Sequence, residues 1–257
     1  MNFMEKFSVA GKNIIVTGGA RGIGKCVAEV LAQCGANVGI MDIDIKMADA
    51  VSEAISKQYG NKTIAYECDV SKIEMVEHAF ASFLCDFCTL DAVFNNAGIA
   101  VHNKAEDMTA DEWLNIINVN LNGVFYVAQA AGKQFIKEKK NGSIVNVASM
   151  SGIIVNIPQC QASYNASKAA VIQLTKTLAV EWAEKGIRVN CISPGYIITE
   201  MTSTLRQDWR DFWVNLIPFK RMGRPEELAG AVIYLMSDAS SYTSGHNIVI
   251  DGCFTCV

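Results

Sequence analysis

The chain has only three histidines in 257 residues, His78, His102 and His246, and nothing in their spacing resembles a metal-ligand set. Each reads as a surface or helix-face residue. No apolar run approaches the ~20 residues a bilayer-spanning helix needs. The start, "MNFMEKFSVAGKN", lacks the long apolar centre of a secretory signal. A cytoplasmic protein that does not engage membrane is the expectation. Positive charge is also scarce: 22 Lys and Arg against 26 Asp and Glu leave a net charge of −4. That offers no basic field for nucleic acid. Internal repeats, low-complexity tracts and linkers are missing too, so residues 1–257 are expected to form one domain.

Cysteine is plentiful but not arranged as a framework. Nine is an odd number, and their scatter argues against a disulfide scaffold and for a reducing compartment. Cys85 with Cys88 and Cys253 with Cys256 have CxxC spacing, for which a four-thiolate zinc site is one reading. The pairs lie far apart and lack flanking glycines of the knuckle type. They read instead as small buried apolar residues, and no metal is expected.

With 51% hydrophobic and 19% charged residues, the chain can build one large core. Short apolar runs begin at Asn13, Asn37, Thr63, Asp91, Ser143, Ile187 and Asn247, with helix-like stretches between them. Ser71 with Glu74 and Thr109 with Glu112 have the spacing of capping boxes. Gly142 reads as the loop after the Thr109 helix, the Tyr164 helix as running to Gly186, and Pro225 as opening the last helix. Alternation of this kind predicts an α/β fold: a doubly wound, mostly parallel seven-stranded Rossmann sheet with helices on both faces. One segment breaks the rhythm. Residues 199–219, rich in aromatics and Met, form an insertion after the sixth strand. They read as a lid over the site or as a subunit contact.

The first strand ends in "VTGGARGIG". Gly18, Gly22 and Gly24, with Arg21 and Ile23 between them, form a turn opening onto a helix N-terminus. Such a turn lets backbone approach a pyrophosphate. Asp42 ends the second strand, where a carboxylate can bind adenosine ribose hydroxyls and repel a 2′-phosphate. That favours NAD over NADP, while Arg21 pulls the other way. Asp42 as a helix cap is the alternative. Further on, Tyr164 and Lys168 stand four residues apart and share one face of a helix.

The motifs "NNAG" from Asn95, "NVNL" from Asn118, "NVASMSG" from Asn146, "YNASK" from Tyr164 and "SPGYIITE" from Ser193, in this order, resemble the short-chain dehydrogenase/reductase family from Gly11 to Gly252. The resemblance implies Tyr164 as general acid/base, Lys168 as its partner, Ser149 as holder of the reacting oxygen and Asn120 as the end of a water-linked proton relay. Ser151 is a rival to Ser149, but "S-x-x-G" matches Ser149 to Gly152. A free tyrosine titrates near 10, so a neighbouring ammonium would help it act as a base. The resemblance further places Asp69 and Val70 at the adenine, Asn96, Ala97 and Gly98 along the adenosine ribose, and Gly195, Ile197 and Thr199 at the nicotinamide end. Lys168 also reaches the nicotinamide ribose, beside Tyr164. Cys253 departs from the glycine common in the family. A homotetramer is implied.

The stretch "IVNIPQCQASYN" from Ile154, with "LAVEW" from Leu178, is similar to the mannitol dehydrogenase and sorbose reductase branch. That branch implies a polyol/ketose substrate and includes many NADP users. Asn156, Gln159 and Gln161 could offer amides to sugar hydroxyls or serve the loop itself. A hydroxysteroid (bile-acid) dehydrogenase, a 3-oxoacyl reductase and a cofactor-sensing binding module are the other readings.

Overall fold

A computed structural model of the chain describes residues 3–203 and 206–257. Seven strands form one sheet: β1 (Asn13–Thr17), β2 (Asn37–Asp42), β3 (Thr63–Glu67), β4 (Ala92–Asn95), β5 (Gly142–Val147), β6 (Ile187–Pro194) and β7 (Asn247–Ile250). Their order is 3-2-1-4-5-6-7 and every pairing is parallel. The chain steps outward from β1 to β3, then returns to place β4 on the other side of β1. Carboxyl ends of strands flanking such a reversal are where doubly wound sheets bind ligands.

Side-chain alternation explains the layers. Ile14, Val16, Ile40, Phe94 and Val145 point into one core with α1 (Gly22–Gln33), α2 (Ile45–Tyr59) and α9 (Glu226–Met236). Ile15, Met41, Val93 and Ile144 point to the other face, against α3 (Ile73–Phe87), α5 (Val124–Glu138) and α6 (Ala162–Glu181). Successive strand residues alternate faces, so both cores are filled from the same strands. Gly39 lets one neighbour come close, since a Cβ there would lie 2.5 Å from the Phe83 ring.

Three local expectations differ from the structure. Ser71 does not cap α3. Its N–H and hydroxyl both donate to Asp69 Oδ1 (3.0 and 2.7 Å), and the helix starts after Lys72 without a side-chain cap. Gly142 is the first residue of β5 rather than part of a loop. The Tyr164 helix ends at Glu181, and a 3₁₀ turn over Ala183–Lys185 carries the chain to Gly186. By contrast Thr109 and Glu112 form a full capping box on α4 (Ala110–Ile117). Between α4 and α5 the hydrogen-bond register slips through a π turn, Asn118–Gly123.

A buried polar chain crosses the sheet near its carboxyl edge. Thr17 Oγ1 lies 3.5 Å from Asn95 Oδ1. Asn95 Nδ2 donates to Asn146 Oδ1 (3.1 Å), and Asn146 Nδ2 donates to Thr175 Oγ1 (2.9 Å). Thr175 closes the chain by donating to Val171 O (2.8 Å). All four residues are buried. Replacing Asn146 with Ala strips a partner from β4 and is expected to destabilise the fold by about 2 kcal/mol. Urea unfolding of the variant measures this, with a lower midpoint at unchanged slope as the outcome.

Candidate active site

The site is built on α6 and the loop leaving β5. Lys168 is 3% exposed, and its Nζ donates to Val147 O at 2.8 Å. The ammonium lies 5.6 Å from the centre of the Tyr164 ring. Burial lowers its pKa to about 8. Gly152 allows this loop to lie on α6, because a Cβ there would be 2.6 Å from the backbone of Lys168. That gives a steric reason for glycine three residues after Ser149.

Ser149 is extended at the strand end, and its Oγ accepts from Ser151 N at 3.1 Å. The Tyr164 phenol lies close enough for the Ser149 hydroxyl to influence its titration. Burial pushes Tyr164 above its ordinary value, and the Ser149 hydroxyl pulls the other way. The sequence leads one to expect the ammonium to lower the phenol's pKa. Within the protein, desolvation outweighs it, and the ammonium is itself held down. Ser151 faces elsewhere: its Oγ accepts from Gln161 Nε2 at 3.2 Å. Of the two serines, Ser149 is the one on the tyrosine.

Asn120 sits in the π turn, fully buried. Its Oδ1 accepts from Ile99 N (2.8 Å), and its Nδ2 donates to Ile99 O (2.9 Å) and Ser167 Oγ (3.2 Å). A Cβ on Gly98 would lie 3.3 Å from Asn120 Oδ1 and 3.5 Å from Lys168 Nζ. The backbone at Gly98 therefore runs between the amide and the ammonium. π turns of this sort recur where a helix must present a particular group.

The residues expected at a dinucleotide line the carboxyl edge. Gly18 and Gly22 both have positive φ, and α1 starts without a side-chain cap or an acidic residue in its first turn. Its N-terminal N–H groups thus suit a pyrophosphate. Gly24 must be glycine, since a Cβ would fall 2.1 Å from Gly18 O; Ile23 packs into the core beside it. A Cβ on Gly22 would meet Thr199 at 3.6 Å, so the glycine turn and the loop after β6 face each other. Gly195 packs against Asp251, and Ile197 pairs with Gly223.

Several of these side chains support the turn itself. Asn96 Nδ2 donates to Thr17 O (3.0 Å) and Gly18 O (3.1 Å). Thr17 Oγ1 accepts from Asn96 N and Ala97 N. Asp42 is buried, and its oxygens accept from Ala20 N (2.9 Å) and Asp44 N (3.0 Å). Each oxygen retains a lone pair for a hydroxyl. Asp44, not Asp42, caps α2, and it also pairs with Arg21 at 3.3 Å. Asp69 is partly desolvated, which raises its pKa, but bonds from Ser71 and Lys72 bring it below the usual range. Val70 packs on Gly123.

The three amides between Ser149 and Tyr164 bond to one another and to residues the sequence did not single out. Gln161 Nε2 donates to Asn156 Oδ1 (3.1 Å) and Asn165 Oδ1 (2.8 Å). Asn156 and Gln159 both donate to the Tyr196 hydroxyl (3.1 and 3.0 Å), and Trp213 Nε1 donates to Gln159 Oε1 (3.0 Å). Tyr196 and Trp213 stack at 4.2 Å. Trp213 belongs to α8 (Gln207–Leu216), which follows the short α7 (Glu200–Ser203) in the insertion; residues 204 and 205 of that insertion lie outside the described residues. Gln159 is thus the pin that joins the loop over 156–161 to α8. His102 is half-buried: its ring meets Trp209 edge-on at 5.5 Å, and burial lowers its pKa.

The CxxC cysteines are not buried as the sequence suggested: Cys85, Cys88, Cys253 and Cys256 are all exposed thiols. Among the described residues no group of three His, Cys, Asp or Glu gathers as a metal site, and no helix is long and apolar enough to cross a membrane.

The sequence model of the family described as enoyl-(acyl carrier protein) reductase matches residues 18–255. A sorbose reductase of Candida albicans is 46% identical, covering 99% of this chain and 91% of that protein. A probable NADP-dependent mannitol dehydrogenase of Yarrowia lipolytica is 45% identical with the same coverage. The crystal structure of a short-chain type dehydrogenase/reductase from Mycobacterium marinum superposes with a TM-score of 0.96 at 41% identity, covering 99% of both chains.

Replacing Gln159 with Leu removes the partner of Trp213 Nε1 and one donor to Tyr196. The loss is expected to be about 1–3 kcal/mol. Acrylamide quenching should rise as Trp213 loses its seat, and unchanged quenching would show that stacking alone holds α8.

Proposed function

The chain belongs to the short-chain dehydrogenase/reductase family and is an enzyme of alcohol and ketone chemistry; from that premise we propose that it interconverts a polyol and its ketose, with NAD(H) preferred over NADP(H). The observation that carries this reading is the Ser149–Tyr164–Lys168 arrangement together with full-length similarity to two enzymes named for sorbose and mannitol. The buried carboxylate of Asp42 supports NAD, and the pairing of Arg21 with Asp44 reduces the charge available to a 2′-phosphate.

The cleft fits a nicotinamide dinucleotide, on the evidence of the uncapped α1 N-terminus and the glycine turn facing Thr199. When bound, the cofactor donates or accepts hydride at the nicotinamide C4. Gly18, Gly22, Ile23 and Gly24 offer backbone to its phosphates, with Asp69, Val70, Asn96, Ala97 and Gly98 toward the adenosine and Gly195, Ile197 and Thr199 toward the nicotinamide. In ketone reduction Ser149 donates to the carbonyl oxygen and Tyr164 delivers a proton to it. Lys168 stabilises the phenolate left behind, and Asn120 leads the replacement proton inward. In oxidation the same groups act in reverse. A homotetramer in the cytoplasm completes the reading; exposed Trp113, Leu114 and Val249 offer apolar contact surface.

A nicotinamide absorbance assay with NADH and NADPH in parallel, each with fructose, sorbose, ribulose and a keto-steroid, tests this. Turnover of a ketose with NADH is expected. Turnover with NADPH alone would reverse the cofactor assignment, and activity confined to the steroid would replace the substrate class. Tyr164→Phe should keep dinucleotide binding while losing about 10²–10⁴-fold in turnover. Loss of neither would favour a binding module.

The titration of Lys168 gives a pH prediction. Reduction needs a protonated phenol and a charged ammonium. Burial holds the phenol high, while the ammonium titrates at about 8. The rate of ketose reduction at saturating cofactor should therefore fall as pH rises through about 8. A profile flat from pH 7 to 9.5 would show that a different group controls the step.

A further inference from the structure

A sizeable cavity lies away from Tyr164. It lies behind α8, measures about 610 Å³, and is walled by Arg210, Lys220, Arg221 and Arg224 with Ile198 and Thr202 at its floor. Helix periodicity explains how α8 serves two sites. Gln207, Arg210, Asp211 and Val214 fall on the cavity face, while Trp209 and Trp213 contact each other on the opposite face.

The charges in this cavity are not all spent. Arg221 makes two 2.7 Å bonds to Glu227, and Arg224 pairs with Glu226 at 3.2 Å. The single acid in the wall, Asp211, accepts from Gln207 Nε2 at 2.7 Å. Arg210 and Lys220 have no carboxylate within ion-pair distance among the described residues. Lys220 donates only to Asn215 O. Arg210 donates from Nη2 to Gln207, but its Nε is buried with no acceptor among the described residues. A buried guanidinium N–H without a partner is costly and rare, and an oxyanion in the cavity would satisfy it.

We propose that this cavity binds a small phosphate monoester, its dianionic head on Arg210 and Lys220 and its organic body against Ile198, Val214 and Met222. Two unpaired cations match a dianion, and the volume exceeds what an inorganic phosphate fills. The floor connects the occupant to the catalytic cleft. Thr202 Oγ1 donates to Ile197 O (2.8 Å) and accepts from Thr199 N (2.9 Å), so it clamps the loop assigned to the nicotinamide end. That coupling rests on the dinucleotide reading, whereas binding at the cavity does not.

The test is calorimetric titration of NADH-saturated enzyme with inorganic phosphate and with fructose 6-phosphate, at constant ionic strength. Saturable one-site binding is expected, tighter for the ester than for phosphate. Arg210→Gln should weaken it about tenfold or more. Lys220→Asn should weaken it several-fold; Lys220 has φ 55°, which Asn tolerates, so this variant keeps the test valid if Arg210→Gln misfolds. Absence of saturable binding overturns the proposal. So does affinity that survives both substitutions, affinity lost instead in Arg21→Gln, or displacement of the ester by a ketose, since these place the anion at the glycine turn or the substrate cleft. Because binding and not turnover is read, failure here is separate from failure of the polyol/ketose assay.

Discussion

The hydrogen-bond chain from Thr17 through Asn95 and Asn146 to Thr175 is the constraint on which the rest of the site depends. A parallel sheet covered on both faces has apolar side chains along most of its strands. Here four polar residues replace them in a line across β1, β4, β5 and α6. Each is satisfied by the next, so the line avoids the cost of an unpaired buried group. Its ends are the two halves of the site. At one end Thr17 Oγ1 accepts from Asn96 N and Ala97 N, and the Asn96 amide in turn donates to Gly18 O of the glycine turn. At the other, Thr175 fixes the helix that carries Tyr164 and Lys168. Such directional bonds set distances between elements to a few tenths of an ångström, which apolar packing alone does less uniquely.

The same arrangement explains why Lys168 can remain buried. Its Nζ has one protein acceptor, Val147 O, on the strand next to Asn146. Desolvation brings its pKa from the model-compound value of 10.5 to about 8. The folded state therefore releases a proton more readily than the unfolded chain. This is a stability cost on the order of 3 kcal/mol, fully present below pH 8 and relieved as pH rises toward the unfolded value. A fold held only by marginal contacts would expel the side chain to water. The buried polar chain and the two apolar cores bear that cost, and the ammonium stays beside the phenol.

The architecture was legible because parallel strands in this fold are short, apolar and separated by helices of the right length. The closeness of Tyr164 and Lys168 was legible because the two are local in sequence, and Ser149 follows directly on a strand. Roles that depend on long-range pairing were not. Gln159 reads as a sugar ligand until Trp213, 54 residues on, is seen to donate to it. Tyr196 stands next to a glycine expected at the cofactor, yet its hydroxyl serves the loop over 156–161. Ser71 has the spacing of a cap, but Asp69 lies two residues before it and captures both its donors. Asp42 shows the mixed case: its place at the end of β2 was evident, while its two backbone bonds came only with the turn geometry.

These differences separate two parts of the site. Ser149, Tyr164, Lys168 and Asn120 belong to the loop leaving β5, to α6 and to the π turn, elements tied into the sheet. The loop over 156–161 and α8 are joined to each other by Gln159, Tyr196 and Trp213. That junction is polar at its centre and aromatic at its edge, and Gln161 ties it to α6 through Asn165, the neighbour of Tyr164. α8 makes its inward contacts through Trp209 and Trp213 and turns Arg210 the other way. One helix thus joins the loop over 156–161, through Gln159 and Trp213, to the cationic cavity on its other face.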